Sequence, residues 1–232
     1  HQEIIAIIIF AMVLITIMSE RLHRTAAALM GTVLLLLTGI LDVNKAVSYV
    51  DFNTIGVLVG MMIFVAVIKH SGLFEYISIK AAKMAKGDPW KIMVAFMLIT
   101  AICSAFLDNV TTVLLMGPMT ITIAKMMKID PIPILLGQIV ASNIGGTMTM
   151  IGDPPNIMIG SAADFAFIDF IRNTGLACVF GLIVVITGMK FVYKKKLVAD
   201  EKAIADIMKL DENKAIADKR LMKISIFMIF MV

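Results

Sequence analysis

The stretch SNIGGTMTMIGDPPN, residues 142–156, interrupts an otherwise apolar region of the chain. Two consecutive prolines in it remove backbone N–H donors and break helical hydrogen bonding. Three glycines permit backbone shapes that other residues resist. Because apolar helical patterns run up to this stretch from residue 131 and away from it to residue 168, we predict one broken helix, 131–168, with an unwound middle.

The composition of the whole chain is typical of a membrane protein. Hydrophobic residues make up 60% of its 232 residues and charged residues 16%, against about 45–50% and 25% in soluble domains. A soluble fold of this size could not bury so much apolar surface beneath a polar shell. Intrinsic disorder is excluded by the same composition, and the net charge of +4 is too small and dispersed to indicate nucleic-acid binding.

The apolar runs predict an all-α polytopic membrane protein with five crossings. Residues 1–193 are expected to form a transmembrane repeat, 194–220 a solvated cytoplasmic linker, and 221–232 the start of a further transmembrane helix. Because the chain starts at His1 and stops inside an apolar run, we expect it to be the N-terminal half of a longer protein. The predicted crossings are residues 4–18, 26–41, 52–68, 131–168 and 174–193.

Residues 73–86 form an amphipathic segment between two of these crossings. At helical spacing, Leu73 and Met84 fall on an apolar face, and Ser78 and Lys83 fall on a polar face. This pattern predicts a helix that lies in the membrane interface.

The basic residues predict the orientation in the membrane. With the N-terminus outside, Lys45 and Arg172 are the only two of the 21 Lys and Arg residues on the outer side. Such a bias is the positive-inside rule, and the expected location is the plasma (inner) membrane. An odd number of crossings would invert a second half relative to this one, as in inverted-repeat transporters.

Residues 91–127 contain a first polar cluster, centred on Asp108, Asn109, Thr111 and Thr112. Each flanking arm of about 16 residues is ~24 Å long as a helix, short of the ~30 Å hydrocarbon core. One interpretation is the tip of a re-entrant hairpin at mid-membrane, where these oxygens bind a hard cation. The alternative is a solvated turn between two ordinary spans, with Asp and Asn as turn formers.

The stretch 142–156 is the second polar cluster. Backbone groups left unpaired in a membrane are tolerated where they line a cavity or bind an ion, and an ionisable residue at that depth indicates function. The alternative is a Gly/Pro kink retained for packing. The side chains that add oxygen atoms here are Ser142, Asn143, Thr147, Thr149, Asp153 and Asn156.

Residues 107–116, LDNVTTVLLM, followed by residues 141–156, closely resemble the arsenite permease and NhaD-type sodium/proton antiporter branch of the ion transporter superfamily. The melanosomal P protein and the di- and tricarboxylate sodium symporters are more distant members. The resemblance implies a helical hairpin that faces an unwound helix, an ion and substrate site between their tips, and a second half that completes the site.

The same resemblance implies roles for individual residues. Asp108, Asn109, Asn143 and Asp153 look like the residues that handle the coupling ion, Na⁺ or H⁺. Neighbouring residues look like suppliers of further oxygen atoms and of positions where two backbones approach closely. The complete candidate ion- and substrate-binding set is Asp108, Asn109, Thr111, Thr112, Ser142, Asn143, Gly145, Thr147, Asp153 and Asn156.

The expected function is secondary active transport, as Na⁺/H⁺ antiport or extrusion of arsenite or another anion by alternating access, with no enzymatic activity and no cofactor. Sodium-coupled di- or tricarboxylate transport is the alternative. The symporters of that class have Ser-Asn-Thr where this chain has Asp108-Asn109-Val110, which counts against it. The expected partners are a small inorganic ion or anion, the lipid bilayer, the second half of the same chain, and a second copy in a homodimer.

Two functions of other classes were weighed against transport. An intramembrane aspartyl protease would use two membrane aspartates as a dyad. Its usual motifs need Tyr before the first Asp and Gly-x-Gly-Asp at the second, whereas Leu107 precedes Asp108 and Met150 stands where that first glycine is needed. A passive channel is the other alternative.

Overall fold

The computed structural model of the protein describes residues 2–194 and 197–231. Within them lie twelve α-helices, one short 3-10 helix and no β-strand, which confirms the all-helical prediction. The helices are α1 (Gln2–Met18), α2 (Arg24–Leu37), α3 (Val43–Ser48), α4 (Phe52–Ser71), α5 (Leu73–Met84), α6 (Pro89–Ser104), α7 (Asn109–Met126), α8 (Ile132–Thr147), α9 (Pro154–Ala163), α10 (Phe167–Tyr193), α11 (Glu201–Met208), the 3-10 helix Glu212–Ala215, and α12 (Lys219–Met231).

Two helices in the described part of the chain are long and apolar enough to cross a bilayer, by length and composition. They are α4 with 20 residues and α10 with 27. The helices α1, α2, α6 and α8 are apolar but shorter, with 10–17 residues each. The number of crossings and the orientation stay predictions.

Helix α10 begins at Phe167, earlier than the predicted span 174–193, and α9 ends at Ala163 rather than continuing to residue 168. The reason is local. Asp164 has a left-handed backbone with φ 54° and ends α9, because that conformation cannot continue a right-handed helix.

One compact unit spans His1–Phe52 and contains α1, α2 and α3. Helices α1 and α2 pack against each other, with Ile9 and Ala27 buried. Gly31 of α2 lies so close to the Val13 side chain that any larger residue would overlap it. Asp42 begins α3 by accepting a 3.1 Å hydrogen bond from the Asn44 backbone N–H.

The second compact unit spans Asn53–Val232. Helix α8 is central in it and packs against α6, α7 and α10. The beginning of α6 is capped locally, because Asp88 accepts from the Trp90 and Lys91 N–H groups and Pro89 occupies the first helical position. The largest fully buried side chains of this unit are Phe74, Phe96, Ile68, Ile92, Met93, Met97, Leu107, Met116, Ile123, Met127, Ile134 and Ile207.

Two residues of α5 depart from the predicted division of faces, whereas Leu73 of the predicted apolar face is buried. Ser78 is completely buried, whereas Met84 is 76% exposed. Burial of Ser78 is possible because its hydroxyl donates a 2.7 Å hydrogen bond to the Phe74 carbonyl, so no polar group is left unpaired. Helix α5 therefore turns this serine toward α7, where Met116 Sδ lies 3.7 Å away.

Charged residues of the linker, Lys202 and Asp206 among them, are exposed as predicted, and its apolar residues pack into the second unit. Leu197 and Ala203 are buried, and Ile207 of α11 has no exposed surface. Helix α11 contacts both α5 and α7. Two residues of the predicted linker, 195 and 196, lie outside the described part of the chain.

The linker runs antiparallel to α5 along its whole length. Ile204 lies against Gly87 after the end of α5, and Glu212 forms a 2.6 Å ion pair with Lys83 near its last turn. The Ala217 N–H then donates a 3.3 Å hydrogen bond to the Ser71 carbonyl. The end of α4 and the start of α12 are therefore neighbours.

Candidate functional site

The tip of the α6–α7 pair consists of residues 105–108, and Asp108 is the N-cap of α7. Its carboxylate accepts a 2.8 Å hydrogen bond from the Thr111 N–H and a second one from the Thr111 hydroxyl. Thr112, fully buried, donates its hydroxyl to the Asp108 carbonyl at 2.9 Å. The DNVTT sequence is thus a self-capped helix start that holds Asp108 at the tip.

The predicted break between two helical halves coincides with residues 148–153, which are not helical. Pro154 occupies the first turn of α9, where its missing N–H needs no partner. Asp153 precedes it at the N-cap position, but its side chain makes no capping hydrogen bond. The Asp153 carboxylate is therefore not tied to the first turn of α9, unlike Asp108 in α7.

The glycines near the break provide space rather than unusual backbone angles, which corrects the prediction. None of Gly145, Gly146 and Gly152 has the positive φ found at Gly72 and Gly87. A Cβ atom on Gly145 would overlap the backbone of Ala101 in α6, and one on Gly152 would lie 2.7 Å from the Ser104 carbonyl oxygen. These glycines let α6, α8 and the break approach closely.

The structure brings the two predicted polar clusters together. The Asn109 side-chain amide donates a 2.9 Å hydrogen bond to Asn143 Oδ1, which joins the hairpin tip to α8. The Thr149 hydroxyl in the break donates to the Ala105 carbonyl at the tip, so the segments that carry Asp153 and Asp108 are neighbours. All four residues that the resemblance linked to the coupling ion therefore lie in one region of the fold.

A groove of about 320 Å³ opens beside this contact. Its polar lining comes from Asn109, Ser142 and Asn143, all of them predicted site residues. The Ser142 hydroxyl donates to its own helix, to the Ile139 carbonyl at 2.8 Å. The apolar remainder of the lining is Val110, Val113, Leu114 and Ile139.

The backbone carbonyls around the break already accept hydrogen bonds from side chains. Asn156 donates its amide to the carbonyls of Gly146, at 3.2 Å, and Thr149, at 2.9 Å. The Thr147 hydroxyl donates to the Asn143 carbonyl at 2.8 Å. The amide nitrogen of Asn156 thus closes the break, whereas the carboxylate of Asp153 makes no capping hydrogen bond.

Two further residues hold this region and were missed by the sequence reasoning. Ser104 of α6 is fully buried and donates a 2.8 Å hydrogen bond to the Ser142 carbonyl. Thr174 of α10 donates to the carbonyl of Thr147, at 3.0 Å. Each is a hydroxyl residue in a mostly apolar helix, and the tendency of such hydroxyls to hydrogen-bond across helices is the signal that could have identified them.

No group of three or more His, Cys, Asp or Glu side chains able to hold a metal ion occurs in the part of the chain that the structure covers. A cation at the hairpin tip would therefore use the amide and hydroxyl oxygens beside the two carboxylates. Oxygen donors of this kind suit hard cations.

Comparison with known proteins identifies the family. Residues 4–232 match the family described as "Citrate transporter". The chain belongs to the citrate transporter family. Its relatives include a "46 kDa membrane protein" of Mycobacterium leprae, 37% identical over 226 residues, which are 95% of this chain and 52% of that protein. An uncharacterized transporter of Mycobacterium tuberculosis is 38% identical over 226 residues, which are again 95% of this chain and 52% of that protein.

The human P protein is a further relative, 42% identical over 165 residues, which cover 69% of this chain and 20% of that protein. The chain spans about half the length of the mycobacterial relatives it matches. Membership of the citrate transporter family, with relatives named transporters and a membrane protein, indicates that this chain belongs to a family of membrane transporters.

Proposed function

We propose that the full-length protein is a secondary active transporter that couples Na⁺ or H⁺ to its cargo by alternating access. Its reaction is either Na⁺/H⁺ antiport or extrusion of arsenite or another small anion, as in the branch that the sequence resembles. The single observation that carries this proposal is the meeting of the hairpin tip, with Asp108 and Asn109, and the segment that carries Asn143 and Asp153.

The charges at this meeting point favour a cation as the coupling species. Two carboxylates on neighbouring segments gain from a cation between them, because the cation offsets both negative charges. Protonation of one carboxylate lowers the same negative charge. A site of this kind therefore suits Na⁺ and H⁺, which compete for the same oxygens.

We propose that α6 and α7 form a re-entrant hairpin and that α8 and α9 are the two halves of one broken crossing. The lengths support this, since α6 and α8 have 16 residues each and α7 has 18. The hydrogen bond between Ala217 and Ser71 also supports placing the end of α4 and the start of α12 on the same side of the membrane. With the N-terminus outside, that side is the cytoplasm.

The test is ion-driven exchange in proteoliposomes that contain the full-length protein. Asp108→Asn and Asp153→Asn are each expected to abolish exchange, because a neutral amide can neither release a proton nor balance the charge of a cation. The matched control is Asp164→Asn, since Asp164 ends α9 in a left-handed conformation that Asn also adopts readily. Exchange at the unsubstituted rate in both site variants would refute the assignment.

Citrate or another carboxylate is a second candidate cargo, favoured by the description of the family. A multiply charged anion is repelled by Asp108 and Asp153 unless bound cations balance its charge. We therefore expect citrate uptake only when Na⁺ or a divalent cation accompanies it. Radiolabelled citrate uptake with and without each cation tests this, and an absence of uptake under all conditions eliminates the candidate.

A further inference from the structure

Three polar side chains without exposed surface lie deep between the hairpin and α8. They are Thr100 of α6, Thr120 of α7 and Gln138 of α8. The Gln138 Oε1 atom accepts a 2.8 Å hydrogen bond from the Thr120 hydroxyl, and its Nε2 atom donates a 3.2 Å bond to Thr100 Oγ1. One amide on α8 therefore bridges both arms of the hairpin.

A second hydrogen bond between α6 and α8 lies one helical turn nearer the tip. Ser104 follows Thr100 by four residues and Ser142 follows Gln138 by four, and the Ser104 hydroxyl donates to the Ser142 carbonyl at 2.8 Å. At 1.5 Å rise per residue the two levels are ~6 Å apart. The spacing is equal on both helices, so the two helices are held in one register.

Helix α7 is attached to α8 by hydrogen bonds at two levels. One is the bond between Thr120 and Gln138, and the other is the bond between Asn109 and Asn143 at the tip. Thr120 follows Asn109 by eleven residues, which is ~16 Å along a helix. Gln138 precedes Asn143 by five residues, ~8 Å along α8, so the two bonds fix two separate points of α7 against α8.

We infer that Gln138 is a positioning residue for the candidate ion site. Apolar contacts between helices are non-directional and tolerate sliding along the axis. A bridging amide without access to water accepts one geometry, because displacement leaves buried polar atoms unpaired. Gln138 thereby holds the hairpin at the height where Asn109 meets Asn143, and its consequence for ion binding rests on the proposed function.

The variant that separates positioning from stability replaces the whole cluster: Thr100→Val, Gln138→Met and Thr120→Val together. Replacing both partners of a buried hydrogen bond by apolar groups of similar shape is nearly neutral for stability. A purely structural role for Gln138 therefore predicts a triple variant like the unsubstituted protein. Gln138→Met alone is the second variant. In it the Thr120 hydroxyl still has a hydrogen-bond partner, the Met116 carbonyl at 3.1 Å.

The direct measurement is the distance between spin labels at Val110→Cys and Ile139→Cys, in protein whose Cys103 and Cys178 are replaced by serine. Both label sites line the groove, on α7 and α8, and are 64% and 43% exposed. Thr122→Val is the matched control, because the exposed Thr122 hydroxyl bonds to Pro118 of its own helix.

We expect the triple variant to melt near the unsubstituted protein but to show a broadened distance distribution. Its half-saturating ion concentration should rise at least tenfold, with a smaller change in maximal rate. Gln138→Met should broaden the distribution to the same extent. An unchanged distribution in both variants would overturn the inference. Because the distance needs no transport, this failure is distinguishable from unchanged exchange in Asp108→Asn and Asp153→Asn.

Discussion

Asn109 and Asn143 are 34 residues apart in the sequence, and their side chains share a 2.9 Å hydrogen bond. The bond joins the first turn of α7 to the last turns of α8, beside the groove that both residues line. Two amides in contact present both donor and acceptor atoms to the same space. The pair is therefore a direct side-chain link between the first turn of α7 and α8.

Asn143→Ala should weaken the apparent affinity for the coupling ion by about tenfold. The substitution removes a proposed ligand oxygen and leaves the Asn109 amide without its partner, and a factor of ten corresponds to ~1.4 kcal/mol. The measurement is the ion dependence of exchange in proteoliposomes. Asn173→Ala is the control, because Asn173 donates to Asp169 within its own helix. Equal affinities in the two variants would contradict the prediction.

Gly145→Ala should destabilise the protein by about 1–3 kcal/mol, the usual cost of overpacking. The added methyl group would overlap the backbone of Ala101, which cannot move aside as a flexible side chain can. Gly181→Ala in α10 is the matched control, since a methyl group there meets open space and alanine favours the helix. Thermal unfolding in detergent should show a lower Tm for the first variant alone. A similar Tm for both would show that the α6–α8 contact is loose.

Thr174→Val should loosen the break by removing the hydroxyl that Thr147 O accepts from α10. Because this hydrogen bond is exposed, its loss costs about 0.5–1.5 kcal/mol, the net value of an ordinary hydrogen bond. Thr187→Val is matched to it, because both threonines also bond to the carbonyl four residues earlier in α10, at 2.7 Å. Hydrogen exchange of residues 147–153 should accelerate in Thr174→Val and stay unchanged in Thr187→Val. Faster exchange of these residues in Thr187→Val than in Thr174→Val would show that Thr174 of α10 does not hold this segment.

Linker docking should weaken in acid. The hydrogen bond from Lys83 lowers the pKa of Glu212 below its ordinary value. Because the folded pKa is the lower one, the ion pair contributes fully above the ordinary glutamate pKa of about 4.3 and is lost as the pH falls through the folded value. Limited proteolysis of residues 197–217 should therefore be slow at neutral pH and faster in acid.

Glu212→Gln should remove the acid dependence of this proteolysis and increase its rate at neutral pH. The control is Asp206→Asn, since Asp206 forms a 3.5 Å pair with Lys209 in which both side chains are mostly exposed. Such exposed pairs contribute little. Identical cleavage rates in Glu212→Gln and the unsubstituted protein would show that the ion pair does not hold the linker.

Local features of the chain could be predicted from the sequence because neighbouring residues produce them. Asp88 and Pro89 begin α6 through bonds within one turn, and Asp108 begins α7 in the same way. The break after Thr147 follows from residues that lie next to one another. The sequence also identified Asp108, Asn109, Asn143 and Asp153 as candidates, since polar residues in apolar surroundings are conspicuous.

Contacts between distant residues could not be predicted in this way. The burial of Ser78 and the exposure of Met84 are opposite to those expected, because the position of α7 decides which side of α5 is buried. The charge pattern of the linker indicated an exposed face, whereas the fit of its apolar residues against α5 was not visible in the sequence. Gly145 leaves the space that the backbone of Ala101 occupies. Ala101 lies 44 positions earlier, and no local pattern reveals its approach.

The sequence by itself determined that this is a chain of apolar helices with a capped turn at Asp108 and a break before Pro154. Capping, helix breaking and hydrophobicity act within a few residues and need no fold. The tertiary structure alone decided that Asn109 meets Asn143, that Ser104 and Thr174 hold the carbonyls near the break, and that Gln138 bridges the hairpin. Those bonds exist because the helices pack in one register, and a register is a property of two surfaces together.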